Sequence, residues 1–171
     1  MILRLASVTL IALLATHPVS AQAPNPLDVV PEKMPFDVPY GVPISLERAQ
    51  AVIAASVAEA KGRNWKLSVA VVDSGGNLVA FARMDGTQLS SVSISEHKAR
   101  TAVMFRRESK AFETGVQNGL TYQLTLDGMI ASRGGIPLVE DGKIIGAVGA
   151  SGGSGSQDEV VSKAGAVVVN K

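Results

Sequence analysis

The sequence predicts an α+β domain in which one antiparallel sheet carries helices packed against it. Two stretches carry the signature of a β-hairpin, Leu67 to Met84 and Ile136 to Ala150. Hairpins imply antiparallel pairing. Helical periodicity occurs before, between and after them, and a helix, hairpin, helix, hairpin, helix order packs as helices on a sheet, not as a doubly wound parallel fold. The 171 residues, 46% of them hydrophobic and 18% charged, suffice for one domain with a core of ordinary size.

The chain opens on a short basic start, Met1 to Arg4, followed by the apolar run Leu5 to Ala15 and by Val19-Ser20-Ala21 before Gln22. This order fits a secretory signal peptide, residues 1–21, cut after Ala21. The apolar run is shorter than the roughly 20 residues that span a hydrocarbon core, so no membrane span is expected after cleavage. Cleavage removes Arg4 and takes Lys+Arg from 16 to 15, against 15 Asp+Glu. A chain of zero net charge offers no basic field for nucleic acid or an anionic membrane. Cysteine is absent, which excludes disulfides, thiol catalysis and cysteine-ligated metals.

Residues 22–43 contain six prolines, at 24, 26, 31, 35, 39 and 43. That composition favours an extended linker, or an arm lying on a neighbour, over helix or sheet. The domain proper is expected over 44–171. Ser45 offers an N-cap, and Leu46, Ala49, Ile53, Val57 and Ala60 recur at helical spacing until Gly62. The β-branched run Leu67 to Asp73, the turn residues Ser74-Gly75-Gly76-Asn77 and the run Leu78 to Met84 predict the first hairpin.

A longer helix is expected from about Ser90 to Phe112, with Ile94, Ala102 and Phe105 on one side. Gly115 to Gly128 reads as a polar loop and Met129 to Ser132 as a short strand. Asp141-Gly142 between apolar runs marks a two-residue type I′ turn, the second hairpin. Glycines 146, 149, 152 and 153 on its second strand and exit signal either close approach of another backbone or room for a ligand. Ser156 and Glu159 match the capping-box pattern ahead of a last helix through Val160, Val161 and Ala164.

His97 is the one histidine beyond the signal peptide. A lone histidine on a helix is commonly a surface or satisfied core residue. One imidazole can nevertheless supply one axial bond to a haem iron, whereas zinc takes three or four ligands. His97, Thr101 and Met104 fall at i, i+4 and i+7 on a common stripe, where Met104 is either a soft ligand or a gap filler. Arg83 and Arg133 follow apolar strand segments and either pair with ligand carboxylates or sit as exposed strand-end residues. A turn-forming serine accounts for Gly149-Ala150-Ser151-Gly152-Gly153, and Ser151 to Ser156 lacks the G-K-[ST] of a P-loop. Asp73, Asp127 and Asp141 occupy turns, and no carboxylate pair stands out as acid and base.

The run LSVAVVDSGGNLVAFARMDG at 67–86, the pattern S-x-x-K-A-x-T-A-x-x-F from Ser95 to Phe105, and GGIPLVEDGKIIGAVGASGG ahead of Gln157-Asp158-Glu159 resemble the GlcG/HbpS-like haem-binding family. A related domain is fused to PduO-type cobalamin adenosyltransferases. The resemblance spans about 44–170, in order. It implies a profilin-like fold, assembly into homo-oligomers, haem or corrinoid binding by some members and haem degradation by others. With the signal peptide it implies a periplasmic or secreted location.

The expected function is therefore capture of haem for transport or detoxification. His97 serves as axial metal ligand, Lys98, Thr101 and Met104 lie beside it, and Arg83 or Arg133 meets the propionates. The macrocycle would lie between the second helix and the neighbouring hairpin or a second subunit. Two alternatives stand beside it: an enzyme acting on haem or on a small organic acid held by Lys98 or Arg133, and an oligomeric accessory or sensory protein without a small-molecule ligand.

Overall fold

Helix α1, Leu46–Gly62, begins where its cap predicts, with the Ser45 side chain accepting from the Arg48 N–H. Strands β1, Ser68–Asp73, and β2, Leu78–Arg83, follow as a hairpin. The Asp73 carboxylate accepts from the Gly75 and Asn77 N–H groups at 2.8 and 2.9 Å, an Asx-type closure of the turn. Strands β3, Gly135–Glu140, and β4, Lys143–Ser151, form the second hairpin. Its corner residues Asp141 and Gly142 have φ of 48° and 70°, as a type I′ turn requires.

The structure is a computed structural model that describes residues 28–170. The chain divides into two units, Met1–Lys33 and Met34–Lys171, and the sheet and its helices all belong to the second. The expected signal peptide, 1–21, lies outside the described residues, and no helix among those described is long and apolar enough to cross a membrane.

All pairings in the sheet are antiparallel, in the order β2-β1-β4-β3. Helix α1 and the last helix, α4 (Gly155–Ala166), cover one face over a core of Val52, Val69, Val71, Leu138, Val148 and Val161. Helix α2, Ser91–Met104, covers the other over Val72, Ala102, Val103, Ile144 and Ala147. The α+β expectation holds, with helices on both faces of an antiparallel sheet.

Several local features differ from expectation. The expected helix 90–112 is two helices, α2 and α3 (Lys110–Gln117), because Arg106 takes a left-handed φ of 55° and turns the chain. The guanidinium of Arg107 is held between the rings of Phe36 and Phe112, 3.9 and 4.2 Å from their centroids, which fixes the corner from outside the helix. A 3₁₀ turn, Thr121–Thr125, interrupts the expected loop.

Met129 to Ser132 is not a strand, since its neighbour is α2 and not a sheet edge: the Ile130 N–H goes to the Thr101 hydroxyl. The capping box of α4 is Ser154 with Gln157, not Ser156 with Glu159; Ser154 has the extended backbone of a cap while Ser156 is already helical. Within the proline-rich segment, Pro39 to Ile44 lies along β4 of its own chain. The Pro39 carbonyl accepts from Ile144, and Gly41 and Ile44 donate to Ile144 and Ile145, each at 2.8 Å.

Candidate functional site

Helix α2 lies close to the sheet where Gly149 of β4 and Gly135 of β3 carry no side chain. A Cβ added at Gly149 would collide with the Ser95 carbonyl and come within 2.5 Å of the Ala99 nitrogen, and one at Gly135 would collide with the Lys98 carbonyl. Gly149 of β4 and Gly135 of β3 thus mark the approach of a helix backbone, with Ser95 and Ala99 on the underside of α2, whereas Gly146 makes room for the Val72 carbonyl of β1. Close docking on one side sets which residues face outward on the other.

Lys98 is on the docked side. It is 2% exposed, and its ammonium donates to Asp158 of α4 at 2.7 Å. Burial pushes the Asp158 carboxyl above the usual carboxylate range, against the pull of Lys98 and of the Gly153 and Gly152 N–H groups. A buried pair of this kind ties α2 to α4 and presents no cation to a ligand. Thr101 is buried as well, and its hydroxyl accepts from the Ile130 N–H at 3.0 Å. The link at 128–130 therefore roofs the middle of the stripe that carries His97, Thr101 and Met104.

The two ends of that stripe are open. His97 is exposed on the outer side of α2, and Met104 is 53% exposed at its C-terminal end. Tyr40 closes this end of the helix by donating to the Val103 and Met104 carbonyls at 2.9 and 3.0 Å, with the Arg106 guanidinium 5.7 Å over its ring. The stripe thus presents an imidazole and a thioether at opposite ends of a ridge.

The expected propionate partners do not join it. Arg133 donates from its backbone and side chain to Glu113, both at 2.7 Å, and lies 3.7 Å from Glu159. Glu159 also accepts from Lys163 at 2.6 Å and Lys110 at 3.3 Å. Burial acts to raise its pKa, but the hydrogen bonds from these two lysines outweigh that and hold it below the usual range. The network binds α3, α4 and the strand entry together. Arg83 ends β2 in a cleft with Lys61, Trp65 and Lys66, to which α2 contributes no residue.

The partners Asp158, Glu159 and Glu113 escaped the sequence reading. Asp158 and Glu159 fit the first turn of a helix equally well as dipole-complementing acids. Gly149-Ala150-Ser151-Gly152-Gly153 has the spacing of a nucleophile elbow. Ser151 is the buried last residue of β4, though, and its hydroxyl faces Ser91 at 3.5 Å. No histidine stands at that serine, since the one described histidine lies exposed on α2. Among the described residues no group of three His, Asp or Glu could hold a metal ion.

A family model described as "Haem degrading protein HbpS-like" matches residues 44–167, all but the first strand-like arm and the last few residues of the folded unit. The chain belongs to the HbpS-like family. Protein GlcG of Escherichia coli (strain K12) is 48% identical over 108 residues, 63% of this chain and 81% of that protein. The crystal structure of an HbpS double mutant from Streptomyces reticuli matches with a TM-score of 0.71 at 28% identity, covering 89% of this chain and 100% of that one. The structure of a PduOC:heme complex matches at 0.68 and 28%, covering 75% of this chain and 96% of that one.

Proposed function

We propose that this protein binds haem, with His97 on the outer side of α2 as the axial ligand. The observation that carries the reading is the likeness to PduOC, a protein solved in complex with haem, over nearly its whole length. The HbpS-like description of the family points the same way. The donor chemistry fits: an exposed imidazole gives one axial nitrogen, and the exposed Met104 thioether lies two turns along the same stripe. Haem bound there supplies an iron centre. The chain's own contribution is to orient the imidazole on a helix docked on the sheet at Gly149 and tied to α4 by the Lys98–Asp158 pair.

An outward-facing ridge covers one face of a flat macrocycle. A second copy of the chain would cover the other, so the reading includes a homo-oligomer with haem between α2 helices. Arg100, three residues beyond His97, donates from Nε to the Gly76 carbonyl at 3.2 Å and lies 3.9 Å from Glu96, which leaves it the part-exposed cation of α2 that would meet a propionate. Lys98 and Arg133 act here as framework. With a leader over 1–21, the protein is exported to the periplasm or beyond and captures haem for transport or detoxification.

Analytical ultracentrifugation of the protein with and without haemin tests this arrangement. One haem per two chains and a larger assembly with haem are expected, and His97→Ala should lose both until imidazole is added. Monomers carrying one haem each would overturn the shared site. A second reading, breakdown of haem, is favoured by the description of the family. It predicts that haem-loaded protein given ascorbate as reductant and dioxygen as oxidant loses its Soret band with release of iron, faster than free haem does.

A further inference from the structure

Each cation of α2, α3 and α4 is paired with a carboxylate. Lys61, Lys66 and Arg83 have no such partner among the described residues, and all three line one cleft of about 420 Å³. The cleft is formed by the last two turns of α1, the link at 64–66 and the end of β2, with Val57, Trp65, Ala82 and Met84 as its apolar walls. Asp85 is its one acidic lining residue, which leaves an excess of two positive charges. The macrodipole accounts for Lys61 in the last turn of α1. It does not account for Lys66 or Arg83.

The walls are held in place by the backbone. Asn64 adopts a left-handed φ of 56° just after α1, and the Trp65 N–H returns to the Ala60 carbonyl at 2.9 Å. The Arg63 guanidinium sits 5.0 Å over the Trp65 ring and is itself paired with Glu59. Arg83 donates to the Thr87 carbonyl at 3.3 Å, which keeps its guanidinium at the rim. The Lys66 stem crosses Gly86, where a Cβ would lie 3.1 Å from Lys66 Cδ.

Unpaired cations above apolar walls suit a ligand that is both charged and greasy. We propose that this cleft binds a small organic carboxylate with an apolar body, the carboxylate held by Arg83 and Lys66 and the body lying against Trp65 and Met84. Arg83 presents a planar fork that matches a carboxylate. The site shares no residue with the haem ridge and stands independently of it.

Trp65 is the single tryptophan of the chain, so its fluorescence reports on this cleft directly. The purified protein is titrated with hexanoate, with 1-hexanol and inorganic phosphate as the uncharged and body-free probes. Hexanoate is expected to give a saturable change in emission. Binding should weaken about tenfold or more in Arg83→Gln and Lys66→Gln, the loss of one charge-assisted hydrogen bond, and weaken with added NaCl. His97→Ala should respond as the native protein does. Equal binding of 1-hexanol would overturn the role of the charge, and equal binding of phosphate the role of the apolar walls. No saturable change, or an unaltered response in folded Arg83→Gln and Lys66→Gln, would overturn the site altogether.

Discussion

Lys98 shows how one residue changes meaning between sequence and structure. In the sequence it neighbours His97 and reads as a ligand-facing cation. In the fold it is buried against Asp158, sixty positions away, and its role is to join two helices on opposite faces of the sheet. Removing one partner leaves the other charge buried alone, so Lys98→Ala should cost about 3–5 kcal/mol in denaturant unfolding. The double variant Lys98→Met, Asp158→Leu should lose less than that single change.

The neighbouring Glu159 gives a pH test. Its folded pKa is held below the ordinary 4.5, so its contribution is present above about pH 4.5 and is lost as pH falls through the lower, folded value. Glu159→Gln should therefore lower stability at pH 7 and make the loss on acidification shallower, as urea midpoints at several pH values would show. Asp158, whose pKa is raised, runs the other way and costs stability as pH rises through its folded value. Neither pairing was legible in the sequence. Both depend on partners brought together only by tertiary packing.

At the scale of elements, the hairpins were legible and the helix ends less so. Asp141-Gly142 and Asp73 to Asn77 announce their turns locally, and the structure places a turn at each. The break between α2 and α3 is not local: it rests on a non-glycine residue, Arg106, in a left-handed conformation, beside an Arg107 clamped by Phe36 from about seventy residues earlier. The glycines of β4 were legible as a close approach or as ligand space. Ser95 and Ala99 against Gly149, and the Val72 carbonyl against Gly146, decide for the approach.

Gly149→Ala should consequently drive α2 off the sheet and cost about 3 kcal/mol or more. Gly142→Ala, at a φ of 70° with nothing near its Cβ, should cost about 1–2 kcal/mol. Thermal unfolding of the two variants distinguishes a packing constraint from a conformational one. Equal losses would mean that α2 can shift to make room.

At the scale of the whole molecule, the fold was readable because hydrophobic periodicity and turn chemistry agree along the chain. The gathering of a site was not. Of the six residues singled out, the structure sets His97 and Met104 outward on α2, buries Lys98 and Thr101 beneath, engages Arg133 with Glu113, and assigns Arg83 to a separate cleft. Side-chain pairing across sixty residues and burial by a passing link leave no periodic trace. Of the stripe itself, His97 and Met104 at its two ends remain exposed.

Ligation of haem by His97 on this ridge is open to a direct test, a haemin titration followed in the Soret region on the purified protein and on His97→Ala. The expected result is a saturable, shifted band in the native protein that is lost in the variant, while both show the same circular dichroism. A band that forms equally in both, or no saturable band in either, would contradict ligation by His97.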